Sequence, residues 1–155
     1  MEVQIRNATN ADAPAISRTI VDALRESNAQ DYSSDIIDQL VQDFSPAAVL
    51  HRMTGRHVLV AVIDSRIVAT ASLDDNVVRS VFVDPLYQGR GIGRRLMQRI
   101  QSIALGRGLK HVCVPSSITA EGFYASLGFK KIRDEFHQSE RTIIMAKTLK
   151  RCGDA

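Results

Sequence analysis

Val83-Asp84-Pro85-Leu86-Tyr87-Gln88-Gly89-Arg90-Gly91-Ile92-Gly93-Arg94 joins the end of a β-rich run, Val77 to Val83, to the start of the clearest helix in the chain. In that helix Ile92, Leu96, Met97, Ile100, Ile103 and Ala104 recur on one face, and Arg94, Arg95, Gln98, Arg99 and Gln101 on the other. A strand-to-helix junction exposes the first unpaired amides of the helix, and the helix dipole adds partial positive charge there. An anion belongs at such a point. Glycines at 89, 91 and 93 remove side chains that would hold a phosphate away from the amides.

Working outward, the helix ends at Gly106 or Gly108 and runs into a strand, His111 to Val114, which Pro115 is expected to stop. A strand, a helix and a strand over residues 77 to 114 imply one parallel pair with a right-handed crossover. Upstream, His57 to Ile63 and Arg66 to Leu73 form a hairpin about Asp64-Ser65, and Asp74-Asp75-Asn76 turns the chain into the third run. Before these, Val3 to Arg6 alternates as a short strand, and Thr9 to Pro14 opens a helix carrying Ala13, Ile16, Ile20 and Leu24. Ser33-Ser34-Asp35 introduces a second amphipathic helix with Ile36, Ile37, Leu40, Val41 and Phe44, and Pro46 opens a further turn through Leu50. Downstream come a short helix from about Ile118 to Leu127, ended by Gly128, and two strands, Lys130 to Phe136 and Arg141 to Leu149. The fold class is α/β (α+β): a mostly antiparallel mixed sheet of seven strands, in the order β-α-α-β-β-β-α-β-α-β-β. Residues 1–149 are expected to form one domain, with 150–155 a polar tail.

The bulk properties suit that plan. The chain has 155 residues, 45% hydrophobic and 24% charged, enough for one ordinary core. No basic segment precedes an apolar run at the N-terminus, and no stretch approaches the roughly 20 apolar residues of a membrane span. A cytoplasmic protein without membrane partners is expected. The net charge of +3 is too small to argue for nucleic acid. Cys113 and Cys152, and the four histidines at 51, 57, 111 and 137, show neither disulfide nor metal-ligand spacing, so free thiols and no metal are expected.

Three phosphate-binding loops compete for the glycine pattern. A P-loop requires Gly-Lys followed by Ser or Thr, and this loop contains no lysine. A dinucleotide fingerprint starting at Gly89 would need glycine where Arg94 stands, and starting at Gly91 where Leu96 stands. It also wants an acidic residue about 20 positions on, whereas none occurs between Asp84 and Glu121.

What remains is Gln-x-x-Gly-x-Gly, as Gln88-Gly89-Arg90-Gly91-Ile92-Gly93, preceded by Phe82-Val83-Asp84-Pro85 and followed after the next strand by Phe123-Tyr124-Ala125-Ser126-Leu127-Gly128-Phe129. In these residues the chain resembles the GCN5-related N-acetyltransferase (GNAT) superfamily, most strongly from Val77 to Phe129, and in element order from Val3 to Leu149. The resemblance implies a strand that splays from its parallel neighbour, with the pantetheine arm of acetyl-CoA beside Val81, Phe82 and Val83. It places the pyrophosphate among Gln88, Gly89, Arg90, Gly91, Ile92, Gly93 and Arg94. Arg90, Arg94 and Arg95 would add charge there, although Arg95 and Arg99 read equally well as a solvated face. Ser117 stands where many relatives carry an asparagine that bonds the pantetheine.

Acyl transfer to an amine needs a neutral amine, yet an alkyl amine with a pKa of about 10 is neutral only about once in a thousand at pH 7. By resemblance, Tyr124 is the general acid toward the coenzyme sulfur, and a backbone amide near Val81 to Val83 holds the oxyanion. The base is not legible: the strand before the loop, Val77-Val78-Arg79-Ser80-Val81, has no carboxylate, and Asp74 and Asp75 read first as turn residues. Tyr32 either walls the acceptor pocket or sits on a surface loop. The expected activity is transfer of an acetyl group from acetyl-CoA to a primary amine of a small molecule, by direct attack in a ternary complex. A non-catalytic acyl-CoA-binding module and a protein lysine or N-terminal acetyltransferase are the alternatives, and a homodimer is compatible with each.

Overall fold

The computed structural model describes residues 2–150; the tail from Arg151 onward, with Cys152, lies outside the described residues. Seven strands form one sheet in the order β1-β2-β3-β4-β5-β7-β6. They are β1 (Gln4–Asn7), β2 (His57–Ile63), β3 (Arg66–Asp74), β4 (Val77–Val83), β5 (His111–Ser116), β6 (Lys130–His137) and β7 (Glu140–Thr148). Every pairing is antiparallel except β4 with β5. Five α-helices cover it: α1 (Ala13–Glu26), α2 (Ser34–Asp43), α3 (Pro46–Met53), α4 (Ile92–Gly106) and α5 (Glu121–Ser126).

The helices divide between the two faces. Leu96, Met97, Ile100 and Ala104 of α4, with Tyr124 and Leu127, pack on Leu59, Leu73, Val78, Val112, Val114 and Ile143. Ile16, Ile20 and Leu24 of α1, with Val49 of α3, pack on Val60 and Ile67 across the sheet. Asp64 and Ser65 both take positive φ, 50° and 65°, the mirror-image turn that lets β2 and β3 keep their twist.

Three sequence expectations need correction. The turn at Pro46 is a full helix, capped by Ser45, whose hydroxyl accepts from Ala48 N. The short helix expected from Ile118 begins only at Glu121, because Ser117 first makes a capped turn with its Oγ accepting from Ala120 N. Pro115 does not stop β5, which continues to Ser116 and pairs Pro115 with Ile144. Cys113 N donates to Asn76 O on the β4 side, and by strand alternation the Pro115 nitrogen faces that same side. β4 has already departed there, so the missing N–H costs no ladder bond.

That departure is the feature that makes a site. The register between β4 and β5 contains a single pair, Val77 with Cys113. Beyond it β4 carries a bulge: between Ser72↔Arg79 and Thr70↔Phe82, Ser80 and Val81 oppose Ala71 alone. Ser80 sits at φ 54°, a left-handed conformation uncommon outside glycine. The bulge bends β4 away from β5 and opens the sheet.

Candidate active site

The cleft beside this gap has a volume of about 1350 Å³. Of the predicted loop, Gln88, Gly89, Gly91, Ile92, Gly93 and Arg94 line it, and Arg90 does not. Gln88, Gly89, Arg90 and Gly91 are exposed, while Ile92 and Gly93 are buried and anchor α4. Gly91 is the N-cap at φ 78°, and the helical ladder begins with Arg95 N donating to Gly91 O at 3.1 Å. The amides of Ile92, Gly93 and Arg94 precede that ladder and have no carbonyl behind them. A Cβ at Gly89 or Gly91 would meet nothing within 4 Å, so what these glycines supply is backbone angle and open approach, which a diphosphate needs. Gly93 differs, since a Cβ there would lie 3.2 Å from the Phe123 ring.

The loop is braced from both sides. Gln88 Nε2 donates to Val83 O at 3.1 Å and to Ser27 Oγ, just past α1, at 2.9 Å. Asp84, buried, accepts from Leu86 N at 2.9 Å and from Arg66 at 3.3 Å. Arg90 lies over the Tyr87 ring and donates to Leu86 O, and Arg94 donates to Ser126 Oγ at 3.4 Å. Arg95 reaches away, to Val3 O, which favours its structural reading.

Val81, Phe82 and Val83 all line the cleft. Val81 and Val83 pack against the α4 core, and Phe82 against the α1 side. Ser117 also lines the cleft, and its hydroxyl accepts from Ala120 N at 3.1 Å, which leaves its proton available to a ligand. Tyr124 is 4% exposed, edge-on to Phe123 and Phe129 at 5.2 and 5.6 Å. Its hydroxyl makes no hydrogen bond among the described residues, and burial pushes the phenol well above its ordinary pKa. It therefore stays protonated at neutral pH and holds that proton beside the gap.

Tyr32 is a clamp. Its hydroxyl donates to Arg141 O and accepts from Ile118 N, both at 2.8 Å, so it ties the segment between α1 and α2 to β7 and to the start of the α5 turn. Asp74 and Asp75 behave as turn residues: Asp75 takes φ 51° and Asp74 pairs with Arg79 and Arg56. Neither lines the cleft, whereas Glu135 and Glu140 do. Glu135 is engaged by Arg133 at 2.9 Å. Glu140 makes no ion pair among the described residues, and burial raises its pKa, with Asp43 adding to the rise and His137 opposing it. No motif points to Glu140; the only sequence signal is its place at the start of the last strand.

The sequence profile described as an acetyltransferase (GNAT) domain matches residues 28–149. The chain belongs to the GNAT family. It is an acetyl-CoA-dependent acyltransferase, with acetyl-CoA as co-substrate. Peptidyl-lysine N-acetyltransferase YjaB of Salmonella typhimurium is 31% identical over 134 residues, 84% of this chain and 85% of YjaB. Among solved structures, a GCN5-related N-acetyltransferase from Rhodopseudomonas palustris superimposes with a TM-score of 0.91 at 23% identity, covering 96% of this chain and 97% of its own. PaiA N-acetyltransferase from Thermoplasma acidophilum, solved with coenzyme A, gives 0.81 at 18% identity over 96% of this chain and 99% of its own. No group of three or more metal-ligating side chains occurs among the described residues of this GNAT protein, and none of their helices is long and apolar enough to cross a membrane.

Proposed function

We propose that this GNAT protein acetylates the primary amine of a small molecule by direct attack in a ternary complex, in the cytoplasm as the sequence leads one to expect. The strongest support is the gap between β4 and β5, which leads from the open amides of α4 to a buried, protonated tyrosine. The thioester supplies the acyl group and a thiolate leaving group. The amides of Ile92 to Arg94 bind its pyrophosphate, with Gln88 holding the loop in shape and Arg90 and Arg94 adding charge. Val81 to Val83 and Ser117 offer backbone and hydroxyl partners to the pantetheine arm. A backbone donor at the bulge stabilises the carbonyl oxygen as negative charge builds on it.

Glu140 takes the ammonium proton, directly or through water, and its raised pKa brings it nearer the operating pH of a base. As the C–N bond forms and the C–S bond breaks, Tyr124 gives its proton to the sulfur, and the second proton shed by the acylated nitrogen passes through water to restore the phenol. Cys113 carries no intermediate, because no base is paired with its thiol among the described residues. The Tyr32 clamp supports a small acceptor, since it ties the segment between α1 and α2 to β7 along one wall of the cleft. The likeness to YjaB favours the second reading, a peptidyl-lysine acceptor.

Thiol release from acetyl-CoA, measured with amino acids, amino sugars, polyamines and lysine peptides, tests the proposal. Turnover of a small amine at a kcat/KM above that of every peptide is expected. Turnover of peptides alone would establish the second reading, and coenzyme binding without thiol release on any amine would mark a binding module.

A further inference from the structure

Three arginines line the α3 and β4 side of the cleft: Arg52 from the last turn of α3, Arg56 just before β2, and Arg79 immediately before the bulge. Asp74 is the one carboxylate paired with them among the described residues, 3.5 Å from Arg79 Nε and 4.0 Å from Arg56 Nε. Three positive charges thus share one negative charge. Arg52 makes no ion pair among the described residues; its guanidinium is held 4.5 Å from the centre of the Phe44 ring, which stands edge-on to Phe82. Arg56 donates to Ser80 Oγ at 3.3 Å, so the trio touches the bulged residue itself. Arg79 Nε is buried and has no hydrogen-bond partner among the described residues. Burial first, and then the charges of Arg52 and Arg79, hold Arg56 below the ordinary arginine value, against Asp74.

Like charges gathered in a half-buried place raise the free energy of the empty protein, and an anion relieves it. The coenzyme pyrophosphate is not that anion on the reading above, because Arg79 stands five residues up the strand from Asp84, roughly 15 Å from the loop. Planar guanidinium forks match the oxygens of a carboxylate or a phosphate. We propose that Arg52, Arg56 and Arg79 bind an acid group carried by the acceptor, so that the substrate class is a small primary amine bearing a carboxylate or a phosphate. This rests on the small-amine acetyltransferase reading and narrows it. An acid group seated on the trio would hold the rest of the acceptor against the bulge, within the same cleft as Glu140.

The test uses the full chain saturated with coenzyme A, which occupies the other anion site, with nitrogen-15 on the arginine side chains. On titration with inorganic phosphate or acetate, the Nε–Hε resonances of Arg52, Arg56 and Arg79 should shift and saturate. Arg52→Gln with Arg56→Gln should weaken that affinity about tenfold or more, while Arg52→Lys, which keeps the charge, should lose much less. In turnover, phosphoethanolamine should exceed ethanolamine, or an amino acid its amide, by about tenfold or more in kcat/KM. Whichever pair shows the preference identifies the acid, and the double variant should abolish it. Unmoved resonances at the three arginines, an affinity unchanged in the double variant, or equal turnover within both pairs would overturn the proposal. Shifts at the trio with no acetyl transfer to any amine would instead keep the anion site and sink the acetyltransferase reading beneath it.

Discussion

In the proposed reaction Tyr124 and Glu140 divide the proton traffic, and burial suits each to its part. The tyrosine is enclosed by Phe123 and Phe129, so its proton is retained until a thiolate appears. Tyr124→Phe should lower kcat by about 10²- to 10⁴-fold, the usual worth of a positioned acid, with coenzyme affinity nearly unchanged. Steady-state kinetics with calorimetric coenzyme binding checks both halves. Glu140 is only partly buried, yet its carboxyl is raised above the ordinary value, so the folded state holds its proton to a higher pH than the unfolded chain does. Its charged form is therefore a liability that sets in as pH rises through that raised pKa. Glu140→Gln should raise the melting temperature at pH 7, leave it unaltered at pH 3, and remove the acid limb from the pH profile of kcat/KM. A variant with the wild-type pH profile would take Glu140 out of the reaction.

Two junctions tie neighbouring elements together. At the first residues of α4, Gly93 lets the helix approach Phe123, the neighbour of Tyr124. Gly93→Ala puts a Cβ 3.2 Å from that ring, which must give by a few tenths of an ångström; weaker coenzyme binding is expected, with a stability change of no more than about 3 kcal/mol. Chemical denaturation and calorimetry measure the two. Between β1 and α1, Asp12 accepts two bonds from Arg6, at 2.8 and 3.1 Å, and one from Thr9 N at 2.7 Å. Arg6 above all holds the Asp12 carboxyl down at about 2. A depressed carboxylate stabilises the fold above its ordinary pKa of about 4 and loses that contribution as pH falls through its folded value. Asp12→Asn should therefore flatten the stability profile between about pH 4 and pH 2, read by thermal melts across that window. The helix-to-strand order was legible at this scale because the periodicities of α1, α2 and α4 are strong. Helix α3 was not, as Pro46 to Met53 has only eight residues and one buried apolar position, Val49. Pro115 misled because a proline normally ends pairing, and only the lost neighbour on its nitrogen side makes it harmless.

Across the whole molecule, the parallel pairing of β4 with β5 is cut to a single pair of residues, and the proposed chemistry is gathered at that gap. The glycine loop and the aromatic heptad from Phe123 to Phe129 are each unbroken runs of sequence, so the candidate coenzyme side of the cleft can be proposed from the chain alone. The acceptor side was not. Glu140 comes from β7, Arg52 from α3, Arg56 from a loop and Arg79 from β4, and only folding brings them to one cleft. The roles proposed for them rest on burial and on shortage of counter-charge, neither of which a linear pattern records. Acetyl-CoA added to nitrogen-15-labelled protein, followed by amide chemical shifts, tests the central claim most directly. The largest shifts are predicted at Gly89 to Arg94, at Val81 to Val83 and at Ser117. Saturable binding that moved other amides and left these in place would contradict it.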